Sequence, residues 1–510
     1  MISPNKTVTL VATSALLTLG VRVMYLFVRY ILGSTSTRRF HVESAALLFV
    51  ACGLSLRIMR SHQAAHQATR CVRYPLWIWL AFCGLALALY WPALSIGFLS
   101  DDFVLVTHAS RWAIGPITPA LFRPLPLLIW ATLLHVGAGP RMLHLLNVAL
   151  HATNASLTSR LMQGWLHDMK ASLLAGLIML TAPLAPEAVV WCSGVFDIVA
   201  TTLVLLCVLL ARRYDSHAST ATRIQFLVLG LAAVASKETA AVAGGFVIVD
   251  AWARRARCRQ LLIDASVLIG VVAVFSIVRL ASAFGVSKPP FSKYLLERAL
   301  FGSVGGLVMP WHIDVIQGMP WLPIVGVSIV MCLSSAFLMR FGSTERTRLA
   351  VAAAAWILLP IIPVWPIMFV APNLEQSRYL YLSAVGWAAL IVVLASEAQT
   401  YLKRFSMAAV LGLIAVAAYG TTLHLRPWKD AARLRDQVEA SALTVRVDTC
   451  RTMFVRNLPD SVKGAYVFRN GVHEAFERDL LIDASVASDR NDPCVFQWND
   501  DRGQFVRQSP

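Results

Sequence analysis

The sequence predicts an all-α polytopic membrane protein with a small soluble α+β domain at its C-terminal end. The reading rests on three features. Hydrophobic residues make up 57% of the 510 positions and charged residues only 14%, with a mean hydropathy of +0.64, far more apolar than soluble domains are. Apolar runs of roughly 17 to 25 residues, the length a helix needs to cross the hydrocarbon core, recur along the chain. From about Arg426 the composition turns mixed polar and charged, with an amphipathic stretch KDAARLRDQVEASAL, short apolar strings TMFV and AYVF, and turn signals such as Asn470-Gly471. The formal net charge of +17 is spread in short basic clusters between apolar runs. That pattern orients membrane proteins and does not suit a nucleic-acid partner.

The chain opens with a transmembrane hairpin over residues 1–60, built from runs near 8–32 and 43–58. Arg22 and Arg29 inside the first run, with no small-residue cleavage pattern, favour a retained segment over a signal peptide. Arg57, Arg60, Arg70 and Arg73 precede the run at 75–99 and place its start in the cytoplasm. That run opens a transmembrane core over 75–424, and its far end carries Asp101 and Asp102 on the outer side. The next strong run, 142–163, returns to the basic residues Arg160, His167 and Lys170, so 100–141 stays outside as a loop. Within it, Leu125 to Val136 is expected to form a helix lying at the membrane surface or dipping into it, short of a full crossing.

Runs at 171–185 and 193–212 go out and back around the outer string APEAVVWCSGVFD. A hairpin over 223–251 turns at Ser236-Lys237-Glu238 and exits at Arg254, Arg255, Arg257 and Arg259, the strongest cytoplasmic marker in the chain. A second outer loop spans 284–320, with an apolar piece near 296–309 read as surface-lying or re-entrant. Runs at 321–339, 349–370, 379–397 and 406–424 then alternate, which puts the N-terminus inside and the domain at 426–510 outside. The count is about thirteen crossings.

Of the nine cysteines, seven lie in apolar runs or basic loops without metal-ligand spacing. Cys450 and Cys494 both lie in the outer polar segment and are expected to pair there. The run at 142–163 carries His144, Asn147, His151, Asn154 and Thr158 at helical spacing, a polar stripe on one face that must avoid lipid. His144, one turn from the outer end, is a candidate for substrate binding. Helix-to-helix hydrogen bonding is the plainer role for Asn147 and Asn154. Glu187, Asp197, Lys237, Glu238, Arg279 and Arg378 also fall at outer ends of runs. Acids mixed with bases on one side suit an anionic substrate handled by a base. No ligand cluster calls for a metal, and no phosphate-cradling glycine loop calls for a nucleotide.

Six strings in order, SDDF, FRPLPLL, HLLNVALHA, PEAVVWCSGVFD, SKET and SRYLYLS, resemble the polytopic C-type glycosyltransferases. They are most similar to the protein O-mannosyltransferases and the transmembrane O-mannosyltransferases that bear tetratricopeptide repeats. The likeness covers residues 75–395. It implies a C-type bundle that takes a sugar, such as mannose, from a polyprenyl-phosphate donor to a hydroxyl of a protein, lipid or glycan. The transfer would be inverting and metal-independent, on the outer face of the cytoplasmic membrane, with no other cofactor. Asp101 would be the general base with Asp102 beside it, and Arg123, Lys237 and Arg378 would hold the donor phosphate. His144, Glu187, Asp197 and Glu238 are further substrate-binding candidates. The chain departs from the repeat-bearing group at Gly194-Val195-Phe196-Asp197, which lacks an Arg, and in having no repeat array after the last run. Two alternatives carry different expectations. A transporter of lipid-linked glycans would use the same polar stripe, and a polysaccharide ligase or polymerase would place its groups in the second outer loop, where Arg298, His312 and Asp314 lie.

Overall fold

The computed structural model describes residues 75–115, 123–214, 218–256, 258–284, 306, 310–338, 344–364, 370–398, 403–445, 452–480, 483–486 and 494–507. The expected hairpin at 1–60, Cys450, Arg298 and nearly all of the apolar piece at 296–309 lie outside them. The described residues are mostly helical, with a small sheet region at the C-terminal end.

Helix α1 (Leu76–Tyr90) starts after Pro75 and gives way at Trp91-Pro92. It buries Ile78, Phe82, Ala86 and Tyr90, one residue per turn, while Leu76, Trp77, Leu80 and Leu85 on its other sides are exposed. A helix apolar all round that buries only one stripe presents the rest to an apolar solvent. The short α2 (Asp101–Ser110) and α3 (Pro124–His135) come next. At 12 residues α3 spans about 18 Å, too short for a crossing.

Helix α4 (Pro140–Leu166) is the axis of the bundle and packs against α1 and the next long helices. Its polar stripe is wholly buried and is spent on the breaks in its neighbours. The His151 ring nitrogens meet the Tyr381 hydroxyl at 2.7 Å and the Leu180 carbonyl at 3.0 Å. Asn154 donates to the Ile198 carbonyl and accepts from the Thr202 hydroxyl. Asn147 donates to the Trp191 carbonyl at 3.0 Å. The expectation of helix-to-helix bonding by Asn147 and Asn154 is met, and buried carbonyls freed at helix ends are satisfied without water. His167 in the left-handed region closes α4, and the Asp168 carboxylate caps α5 (Met169–Leu180) by accepting from the Lys170 amide.

After the short α6 (Pro186–Val190) and a tight 3-10 turn at Cys192–Gly194, α7 (Val195–Ala211) runs to the opposite end of the bundle. There Arg212 and Arg254 both bind Asp250, with Trp165 donating to the same carboxylate. Helices α8 (Thr220–Val234), α9 (Ala243–Ala253), α10 (Arg259–Phe284), α11 (Ile313–Gly318), α12 (Trp321–Leu338), α13 (Thr344–Leu358) and α14 (Ser383–Ala398) complete the bundle.

Helix α15 (Lys403–His424) continues into α16 (Arg426–Val445) with only Leu425 between them. The sheet region then comprises β1 (Met453–Arg456), a hairpin of β2 (Ser461–Val462) and β3 (Ala465–Tyr466), α17 (Val472–Leu480), β4 (Ala484–Val486), β5 (Val495–Asn499) and β6 (Gln504–Arg507). The sheet order is β4-β1-β5-β6, with β1 parallel to β4 and β5, and β6 antiparallel to β5. One apolar cluster runs from Ile78 in α1 to Phe505 in β6, so sheet and bundle share a core. Cys494, just before β5, is disulfide-bonded.

Among the described residues, three helical stretches are long and apolar enough to cross a membrane: Leu76–Ser95, Cys192–Ala211 and Ser406–Val445. About thirteen crossings are not confirmed among the described residues; α4, with 27 residues, is long enough to span but carries its buried polar stripe against its neighbours.

Gly194 fixes the turn between α6 and α7. A Cβ placed there would overlap the Ala188 carbonyl oxygen, a backbone atom that cannot step aside. Gly194→Ala is expected to cost about 3 kcal/mol and to lower the melting temperature in detergent by about 3 °C. An unchanged melting temperature would contradict this chain crossing.

Candidate functional site

The end of the bundle at which α2, α6 and α7 begin gathers six ionised side chains in three pairs. Arg123, at the start of α3, makes a two-pronged bond to Glu238, with Nε to Oε1 at 3.2 Å and Nη2 to Oε2 at 2.8 Å. Lys237 Nζ lies 2.7 Å from Asp197 Oδ2 in the first turn of α7. Arg378, just before α14, pairs through Nη1 with Glu187 of α6. All three cations and three of the four further candidates expected from the sequence are thus brought together, and the cluster is neutral as a whole.

Aromatic rings bind the pairs into one unit. The Tyr379 ring lies under both Lys237, at 4.8 Å, and Arg378, at 5.3 Å. Arg378 also stands over Trp191 at 4.6 Å and Tyr466 at 5.6 Å. Guanidinium and ammonium groups over ring faces gain most where water is excluded. Burial is graded across the cluster. Lys237 and Asp197 are 2% and 3% exposed in their side chains, Arg378 15%, and Arg123 and Glu238 12% and 18%. A ligand arriving from solvent therefore meets Arg123, Glu238 and Arg378 before it meets Lys237. Burial pulls the Lys237 ammonium down to about 8, with Asp197 opposing and Arg123 and Arg378 adding to the fall.

Glu187 is the most heavily bonded acid of the cluster. Its carboxylate accepts from the Ser377 hydroxyl, the Arg378 amide, the Arg378 guanidinium and the Tyr466 hydroxyl. Beside it, an enclosed space of about 20 Å³ is lined by residues including His312, His424, Trp428 and Lys463, room for about one water. His312 and His424 hold fixed positions: His312 meets the Lys463 carbonyl, accepts from the Asp314 amide, and its own amide donates to His424.

The Asp pair is split by its backbone. Ser100 sits at φ 51°, ψ −120°, a conformation natural to glycine and strained for serine. It turns Asp102 inward and leaves Asp101 facing out. Asp102 is fully buried, and its carboxylate accepts from the Leu99 amide at 3.0 Å, the Ser193 amide at 2.8 Å and the Ser193 hydroxyl. It thereby ties the start of α2 to the turn that carries Glu187 and Asp197. Asp101 Oδ1 accepts from Asn470 Nδ2 at 2.6 Å. The two adjacent acids thus divide into one inward tie and one outward carboxylate.

His144 is placed differently from the expectation. It is buried, and its ring lies 3.3 to 3.5 Å from Cys192 Sγ. Its described contacts include none of the six charged groups, because the turn at 192–194 comes between. Trp191, Ser193, Ser377 and Tyr379 fall within or beside the six strings but carry no sequence signal of their roles. Tyr466 and Asn470, from the sheet region, carry none at all. Among the described residues no group of three or more His, Cys, Asp or Glu side chains has a metal-holding arrangement.

Comparison with known proteins adds no relative: no protein-family profile, curated protein or solved structure matches the chain.

Burial pushes the Asp102 carboxyl from its ordinary 3.8 up to about 7, against the hydrogen bonds from Ser193 and Leu99. A group raised in the fold stabilises fully below its unfolded value and loses that contribution as pH rises through its folded value. Between about pH 4 and pH 7 the wild-type melting temperature is therefore expected to fall more steeply with rising pH than that of Asp102→Asn, which cannot titrate. Parallel curves for the two proteins would contradict the inward, desolvated placement of Asp102.

Proposed function

We propose that the protein is a membrane glycosyltransferase that passes a sugar from a polyprenyl-phosphate donor to a hydroxyl on the outer face of the cytoplasmic membrane. The observation that carries this reading is a cluster of three cations at one end of a bundle whose sides are apolar, with the outward carboxylate Asp101 on a turn that Asp102 ties to Ser193, two residues from the Trp191 ring under Arg378. On this reading about thirteen helices cross the membrane, with the N-terminus inside and the sheet domain outside.

In the proposed reaction Asp101 takes the proton of the acceptor hydroxyl. The acceptor oxygen forms its bond to the anomeric carbon as the bond from that carbon to the phosphate oxygen breaks, which inverts the configuration. The departing polyprenyl phosphate takes the electron pair, and Arg123, Lys237 and Arg378 stabilise the charge that develops on it. Until the donor arrives, Glu238, Asp197 and Glu187 hold the three cations in orientation, so little reorganisation is left for the reacting state. The proton on Asp101 then passes to water.

The ligase alternative gains no support from the described part of the second outer loop. His312 binds the backbone of the β2–β3 hairpin and Asp314 pairs with Lys463 at 2.9 Å, which makes them braces for the sheet region.

Asp101→Asn is expected to lower sugar transfer from a labelled polyprenyl-phosphate donor about 10²- to 10⁴-fold with donor binding little changed. Arg378→Ala is expected to weaken donor binding, through loss of a charge-assisted contact. Wild-type transfer by Asp101→Asn would remove the base from the scheme. Translocation of the donor without any transfer would favour a transporter.

A further inference from the structure

The chain from Tyr466 to Gly471 lies as a strap across the turn that presents the Asp pair. The Ser100 amide, at the strained residue, donates to the Val467 carbonyl at 2.8 Å. Phe468 stacks on Phe103 of α2 with ring planes 12° apart. Gly471, at φ +76°, brings its backbone so close that a Cβ would lie 2.9 Å from the Ser100 carbonyl oxygen and 3.1 Å from Phe103 and Val104. Arg469 anchors the strap to Asp460 at 2.6 Å and to Glu375 at 2.5 Å. The amide of Asn470 is therefore delivered to Asp101 by fixed backbone and is not a chance surface contact. It occupies Oδ1, and the other carboxylate oxygen is the one left to face an acceptor.

We propose that the sheet domain supplies Asn470 to the site as the positioning residue of the Asp101 carboxylate, so that the base is aimed only while the strap is seated. The inference rests on Asp101 acting as the base. It adds a residue from the most distant part of the chain, and it gives the C-terminal domain a role in the reaction beyond covering the bundle. A neutral donor suits this place: it fixes one oxygen without neutralising the charge that accepts the proton.

The test uses the full-length protein in lipid nanodiscs, with transfer from a labelled polyprenyl-phosphate sugar resolved into kcat and donor KM. Asn470→Ala is expected to lower kcat about 10-fold with KM for the donor within about twofold. The exchanged pair, Asp101→Asn with Asn470→Asp, keeps a hydrogen bond between the two positions. It is expected to melt near the wild-type temperature, yet to transfer no faster than Asp101→Asn alone. In a third arm, Asp101→Cys with Asn470→Cys is expected to cross-link on mild oxidation, which reports the seating of the strap without any activity. Wild-type kcat in Asn470→Ala, transfer restored by the exchanged pair, or failure to cross-link would each overturn the inference. A wild-type protein that transfers no sugar would overturn the enzyme reading itself, and the inference with it.

Discussion

A charge buried at the end of an apolar bundle has to be met by an opposite charge, and that requirement organises the end of this molecule at which α2, α6 and α7 begin. Leaving one partner of a buried pair alone costs about 3 to 5 kcal/mol. Glu187 shows the consequence: one carboxylate gathers Ser377, Arg378 and Tyr466, which lie 190 to 279 residues further along the chain. Lys237 and Arg123 reach acids 40 and 115 residues away in the same manner. The loops between helices therefore converge because their charges have no other solution. Buried pairs are weak grounds for stability, since apolar residues pack as well at lower cost. Six charges retained in so small a volume are better explained by something the cluster does.

Much of this is legible in the residues. The polar stripe of α4 cannot face lipid, and it does not. Arg123, Lys237 and Arg378 fall at the ends of apolar runs, as do Glu187, Asp197 and Glu238, and all six come together. Which cation meets which acid is not legible, because pairing across 40 to 191 residues is decided by packing and leaves no local spacing. His144 lies apart from the six charged groups for a related reason: position along a helix says that a side chain is near the end, but not that a turn such as 192–194 lies over it. Composition alone does not settle the number of crossings, since apolar runs of 12 to 15 residues, as in α5 and α8, are common to buried bundle helices and to spans.

The separation of the Asp pair shows a different limit. Two adjacent acids read alike in sequence, and a strained Ser100 sends them to opposite fates. The strain persists because both sides of the turn are held: Asp102 by Ser193 and Leu99, and the Ser100 amide by Val467. Nothing in SDDF announces a serine at positive φ. The partner that holds it lies in a domain whose composition marks it only as soluble. The sheet region shares the bundle's core and presses its strap onto the site, so the chemistry proposed for the bundle and the placement of the C-terminal domain stand on the same contacts.

On this reading the neutral cluster of six charges is a resting phosphate site, with carboxylates holding the cations that a polyprenyl phosphate takes over. Mass spectrometry of the lipid retained by the purified protein is the decisive measurement. Polyprenyl phosphate, free or sugar-linked, is expected bound to the wild-type chain and depleted when Arg123 is replaced by alanine, since that cation is among the first a ligand from solvent meets. Retention of bulk phospholipid alone, or an equal amount of polyprenyl phosphate in the Arg123→Ala protein, would contradict it.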